Sequence, residues 1–131
     1  MLVADASSLV DFLIRRRRIG AWVSERLVEA GIAHCPHVVD LEVASSLRRL
    51  TGHGGLELGV AEQALSFFTE LRIQRYPMTP LLGRVWALRE TLSAYDAAYV
   101  ALAEALDLPL LTTDRRLGRS GGHQARIVAP A

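Results

Sequence analysis

The sequence predicts an α/β fold, with a central parallel sheet and helices on both faces. Three observations carry this reading. Short continuous apolar runs recur along the chain and stop at Asp or Pro, the pattern of strands buried on both sides. Between them lie longer segments whose apolar residues fall three and four apart, the period of helices. The two kinds of segment alternate, and strand–helix–strand connections build parallel sheets.

The elements follow in order. Leu2-Val3-Ala4 is a first strand, closed by Asp5. Ser7 and Ser8 read as N-caps of a helix whose apolar face carries Leu9, Val10, Leu13 and Ile14. Asp5 is therefore expected at the C-terminal end of a strand, the edge at which open α/β sheets bind their ligands. The run Arg15-Arg16-Arg17-Arg18 leads to a helix bearing Ile19, Trp22, Val23, Leu27 and Val28, which Gly31 ends. Ile32 to Cys35 form a second strand, ended by Pro36. A further helix carries Val38, Leu41, Ala44, Ser45 and Leu47 to Leu50. Thr51 to Gly55 is a loop, and the helical pattern resumes from Leu56 to Leu71. Ile73 to Tyr76 read as a strand, and Thr79-Pro80 opens a helix expected to reach about Thr91. Ser93 caps an alanine-rich helix over Ala94 to Leu106. Leu108 to Thr112 read as a buried strand reaching Asp114. A short helix, a Gly121-Gly122 turn and a strand Arg126-Ile127-Val128 finish the chain. No repeat, low-complexity segment or linker interrupts the pattern, so one domain over 1–131 is expected.

Composition narrows the function. Half of the residues are hydrophobic and the formal net charge is +1, so a packed core is expected, and any nucleic-acid contact must come from local patches. All 15 basic residues are arginine. Without lysine, a phosphate-cradling loop of the P-loop type and Schiff-base catalysis are both excluded. A phosphoacceptor receiver domain needs a lysine too, and no Gly-x-Gly-x-x-Gly follows the first strand to mark a dinucleotide site. Cys35 is the only cysteine, which rules out an internal disulfide and a Cys-rich zinc site; it reads as a small core residue. His34, His37, His53 and His123 lack metal-ligand spacing. Trp22 and Trp86 read as core or interface residues. No basic leader or membrane-length apolar run is visible, so a cytoplasmic location without membrane contact is expected.

Four acids stand out by context. Asp5 and Asp114 end strands, Glu42 lies between Leu41 and Val43 of an apolar helix, and Asp96 opens the alanine-rich helix. Acids are rarely buried unless paired or bound to a metal. Like charges gathered at one point raise each other's pKa, and a divalent cation relieves the repulsion. Oxygen ligands favour Mg²⁺ or Mn²⁺, ions that serve phosphoryl chemistry. Each acid also has a purely structural reading: Asp5, Asp96 and Asp114 as helix caps or dipole partners, Glu42 as a surface residue. Asp40 and Asp11 are expected on other faces, and Glu25, Glu29, Glu57, Glu62, Glu70, Glu90 and Glu104 on solvated ones.

Four segments together resemble the PIN-domain family, in the VapC toxin type of bacterial toxin–antitoxin pairs. They are Leu2-Val3-Ala4-Asp5-Ala6-Ser7, then Leu41-Glu42-Val43 with Leu47-Arg48-Arg49-Leu50, then Tyr95 to Ala103, then Leu110 to Leu117. They occur in the family's order over almost the whole chain. The resemblance implies a three-layer α/β/α sandwich and a Mg²⁺- or Mn²⁺-dependent endoribonuclease leaving 5′-phosphate and 3′-hydroxyl ends. It maps the family's four acids onto Asp5, Glu42, Asp96 and Asp114. Asp5, Asp96 and Asp114 are the implied metal ligands and Glu42 the water-positioning acid. The family's two hydroxyls map onto Ser7 and Thr112, which would orient carboxylates. Some PIN proteins carry another acid or asparagine after the fourth; here Arg115, Arg116 and Leu117 follow.

RNA needs positive contacts. Arg15, Arg16, Arg17 and Arg18, with Arg115, Arg116 and Arg119, are the candidates, since both clusters follow strand-end acids; solvated surface runs or antitoxin contacts are the other readings. The resemblance also implies a cognate antitoxin, which commonly blocks the acids with a basic residue, and a homodimer, for which the helices from Trp22 to Val28 and Val38 to Leu50 offer apolar residues. The competing function is a PIN-fold binding module, catalytically weak and working through protein partners.

Overall fold

The computed structural model describes residues 1–131. Five strands form one sheet: β1 (Leu2–Ala4), β2 (Ala33–Pro36), β3 (Ile73–Tyr76), β4 (Leu110–Leu111) and β5 (Ile127–Val128). Their order is β3-β2-β1-β4-β5, and every pairing is parallel. The helices are α1 (Ala6–Leu13), α2 (Arg17–Ala30), α3 (Val39–Gly52), α4 (Leu58–Glu70), α5 (Leu82–Ala87), α6 (Ala94–Leu106) and α7 (Arg115–Gly118). The predicted α/β class and its strand–helix alternation are what the structure has.

The chain runs outward from β1 through β2 to β3, then returns to place β4 on the other side of β1. Strand order therefore reverses at β1, and the crevice beyond the C-terminal ends of β1 and β4 is the switch point at which such sheets bind ligands. Ala4 pairs with Leu111, which puts Asp5 beside Thr112, and the Asp5 N–H donates to the Leu111 carbonyl at 3.1 Å. β1 and β4 are wholly buried, which is why they are runs of Leu, Val and Ala. Over β1, β2 and β4 lies α6, whose residues Ala97 to Ala103 are all buried. Its alanines let the helix seat closely on the sheet, while Tyr99, Val100 and Leu102 fill the core. On α1 pack α2, α3 and α4.

Several boundaries differ from expectation, each for a local reason. Asp5, not Ser7 or Ser8, is the N-cap of α1; its side chain accepts from the Ser8 N–H at 2.9 Å. β4 holds only Leu110 and Leu111, because the Leu108 N–H turns back to the Ala103 carbonyl of α6 and Pro109 has no N–H to pair. The segment from Thr79 splits into a 3₁₀ turn, Thr79–Leu81, and α5, which ends at Ala87. Ser93 does cap α6, accepting from the Asp96 N–H at 3.2 Å, and Gly31 ends α2 with φ of 76°. Trp86 is 68% exposed and so is no core residue, whereas Trp22 packs against the core. Glu104 is not on a solvated face: Arg84 grips it with two hydrogen bonds of 2.8 and 3.0 Å. No helix is long and apolar enough to cross a membrane.

Candidate active site

Asp5, Glu42, Asp96 and Asp114 come from four different elements and line one cavity of about 430 Å³ at the C-terminal edge of β1 and β4. Ser7, Ser46, Arg49, Tyr99 and Thr113 share its walls, as do Asp11 and Arg16.

Asp5 is the most tightly held. It is 5% exposed. One carboxylate oxygen, Oδ1, accepts from the Ser7 hydroxyl at 2.8 Å and from the Ser8 N–H at 2.9 Å. The other, Oδ2, accepts from the hydroxyl of Thr112, itself fully buried. Burial pushes the Asp5 pKa up to about 6, although these hydrogen bonds favour the charged form. Thr112 reaches further, because its Oγ1 also accepts from the Asp114 N–H at 3.0 Å. A single hydroxyl thus ties the first strand-end acid to the backbone of the second. Thr113 donates to the Ser7 hydroxyl through its N–H at 3.3 Å, which fixes Ser7 from the other side.

Asp114 caps α7, its Oδ1 accepting from the Arg116 N–H at 2.8 Å. Glu42 sits in the first turn of α3 and accepts from the Tyr99 hydroxyl at 2.7 Å. Burial raises the Glu42 pKa, and the charge of Asp96 raises it further. Asp96 is raised by burial and then by the charge of Asp114, with Arg116 acting in the opposite sense. Three of the four acids are thus held above their ordinary range by desolvation, two of them also by mutual repulsion.

This electrostatic state fits a divalent cation. The donors are hard oxygens, Glu42 Oε2 and Asp114 Oδ2 accept no hydrogen bond from the chain, and a positive ion would offset both the burial and the repulsion. The acids line the cavity without closing on a point: no three His, Cys, Asp or Glu side chains stand close enough together to hold a metal ion.

The arginine clusters divide. Arg16 lines the acidic cavity, whereas Arg15 and Arg17 face a separate apolar cavity among α1, α2 and α4. Arg18 is exposed. Arg116 stands near enough to Asp96 to lower its pKa, and Arg115 and Arg119 line an adjoining pocket with Thr113 and Asp114.

Sequence reasoning missed Tyr99, Ser46, Arg49 and Asp11. Helical spacing carried the signal for all four, Asp11 following Ser7 by four residues on α1. Tyr99 follows Asp96 by three residues, and Ser46 and Arg49 follow Glu42 by four and seven, so each shares a face with an acid. Asp11 was expected on another face, but it is buried and lines the cavity. Asp40 is outside the site, paired with Arg75 at 2.7 Å.

The PIN-domain family model matches residues 2–122. The chain belongs to the PIN-domain family. The PIN domain is 42% identical over 127 residues to the VapC ribonuclease Mb0985 of Mycobacterium bovis, covering 97% of this chain and 96% of that one. It is 40% identical over 126 residues to ribonuclease VapC1 of Mycobacterium tuberculosis, covering 95% and 94%. Among solved structures, PAE2754 from Pyrobaculum aerophilum has the same fold, with a TM-score of 0.69 at 22% identity, over 96% of this chain and 81% of that one. The family resemblance read from the four acidic segments is thereby borne out, as is the nuclease class of the relatives.

Proposed function

We propose that this PIN domain, a single domain over 1–131, is a Mg²⁺- or Mn²⁺-dependent endoribonuclease acting as the toxin of a toxin–antitoxin pair. One observation carries the reading. Four acids scattered over the chain line a single cavity at the switch point of the sheet, in a chain about 40% identical to ribonucleases. Asp5, Asp96 and Asp114 would hold the ion. The bound cation supplies Lewis-acid stabilisation of the phosphodiester transition state and activation of water. The chain's own groups do the rest. Glu42 orients the attacking water and takes its proton at Oε2, while the Tyr99 hydroxyl fixes Oε1. Ser7 and Thr112 hold Asp5 in one rotamer. Arg16, Arg116, Arg115 and Arg119, with Arg15, Arg17 and Arg18 more distant, attract the RNA backbone. The products carry 5′-phosphate and 3′-hydroxyl ends.

The partners follow the same reading: a cognate antitoxin that offers a basic residue to the acids, and a second copy of the chain. The dimer proposal draws support from Leu41 on α3, 73% exposed, and Val28 on α2, 77% exposed. The place of action is the cytoplasm. The rival reading, a binding module with weak chemistry, is favoured by one fact, that the acids do not close on a point.

Incubation with total RNA separates the two. Cleavage is expected with Mg²⁺ or Mn²⁺ and none with EDTA, and the new ends should ligate at their 5′-phosphate without prior kinase treatment. Intact RNA at saturating metal would leave only the binding module. A metal titration of the melting temperature is a second check. Binding to the folded state alone adds about 2.7 kcal/mol of stability at a hundredfold excess over Kd. Tyr99→Phe is expected to lower kcat about tenfold with little change in KM, because Glu42 loses its donor. An unchanged kcat would remove Tyr99 from the mechanism.

A further inference from the structure

Asp11 is an acid in the wrong place for a nuclease. It is 9% exposed, lines the cavity of the four acids, and adds a negative charge where an anionic backbone must approach. Its Oδ1 lies 3.3 Å from Nη1 of Arg16. An ion pair this exposed on its cationic side adds little to stability. Its effect is to fix where the guanidinium stands.

The backbone fixes the same pair. The Arg16 N–H donates to the Asp11 carbonyl at 3.0 Å, and the Arg16 carbonyl accepts from the Gly20 N–H at 2.6 Å. Arg15 and Arg17, on either side of Arg16, have φ of 54° and 24°, a region that side chains disfavour. Gly20 closes the turn: a Cβ there would lie 2.8 Å from the Asp11 carbonyl oxygen. Strain, a required glycine and a buried carboxylate thus converge on the one residue of the four-arginine run that faces the acids. A second arginine, Arg49 on α3, lines the same cavity.

We infer that Arg16 and Arg49 form a two-point clamp for the RNA backbone at the mouth of the acidic cavity, with Asp11 as the positioning residue that holds Arg16. The clamp rests on the ribonuclease reading for its ligand. It differs from a general basic patch in requiring a carboxylate: the anion Asp11 increases affinity for an anionic ligand.

The test is fluorescence anisotropy of a labelled single-stranded RNA oligomer with the wild-type chain in EDTA, over a range of salt. Arg16→Ala and Arg49→Ala are each expected to weaken binding about tenfold and to reduce the slope of log K against log salt by ~0.7, the share of one phosphate contact on a single strand. Arg16→Lys recovers most of the slope. Asp11→Asn is expected to weaken binding several-fold in the wild type, whereas in Arg16→Ala, where the carboxylate has no guanidinium to hold and only repels phosphate, it no longer weakens binding. Tighter binding by Asp11→Asn, the behaviour of a carboxylate that only repels phosphate, overturns the clamp. So does an unchanged slope in Arg16→Ala, a variant at an exposed residue that leaves the core intact. Cleavage by the wild type with Mg²⁺ is scored separately. Binding with the expected slopes but no cleavage sinks the nuclease and keeps the clamp, whereas cleavage with unaltered slopes does the reverse.

Discussion

Asp5→Asn is expected to abolish RNA cleavage while making the fold more stable at neutral pH. The loss of activity is roughly three orders of magnitude, the size that follows removal of one group stabilising charge in a transition state. The gain in stability comes from the same burial. Asp5 rises from the ordinary 3.8 to about 6 in the folded chain. Its proton is therefore held more tightly folded than unfolded. The stability this contributes is fully present below 3.8 and is lost as pH climbs through about 6. At pH 7 the charged carboxylate costs about 3 kcal/mol, at ~1.4 kcal/mol per pH unit. Asparagine carries no such charge and keeps an acceptor for the Ser8 N–H. Its melting temperature should exceed wild type by up to about 10 °C at pH 7, and the difference should vanish near pH 4. Glu42 and Asp96 are raised as well and leave a residual slope of the same sign in the variant. Saturating Mg²⁺ should reverse the order by stabilising the wild type alone. Thermal melts at several pH values check this, and a variant less stable than wild type at pH 7 without metal would contradict it.

Thr112→Val has the opposite signature, losing both stability and activity. The side chains are close in size, so no cavity opens. What disappears is a buried hydroxyl that donates to Asp5 Oδ2 and accepts from the Asp114 N–H. Leaving the buried carboxylate oxygen without its donor costs about 1–3 kcal/mol. The Asp5 pKa should climb further, since the Thr112 hydrogen bond is the largest of those that lower it. Activity should fall about 10- to 100-fold, as when an outer partner of a metal ligand is removed, with the lower limb of the pH profile displaced upward. Thr112→Ser should restore most of both. Restoration of stability without activity would leave Thr112 a purely structural residue.

These two residues also show what the sequence made legible. Asp5 and Asp114 announce themselves, because Asp5 directly follows one short apolar run and Asp114 follows another after the pair Thr112-Thr113. Their meeting needs only the rule that sheets bind ligands where strand order reverses. Glu42 and Asp96 are read from the helices that carry them. Asp11 follows Ser7 by four residues on α1 and was legible by that spacing, whereas the turn that brings Arg16 to it was hidden, since no propensity forecasts two positive-φ arginines. The same turn sends Arg15 and Arg17 away from Arg16, so a four-residue run that looks uniform as sequence serves two different cavities. The split of the helix after Thr79 was blurred for a simpler reason: a three-residue turn, closed by the Leu81 N–H on the Met78 carbonyl, is not distinguished from a helix by apolar spacing.

The strand order has a temporal consequence. β1 is made long before its neighbour β4, which begins only at Leu110, and β5 pairs on β4 in turn. Until that late segment emerges, Asp5 lacks the hydroxyl of Thr112 and Asp114 does not exist. The cavity therefore cannot form until most of the chain has been made, and a premature stop anywhere before Leu110 yields a product without it. The four acids thus come together in one late step, once Asp114, the last of them, has been made.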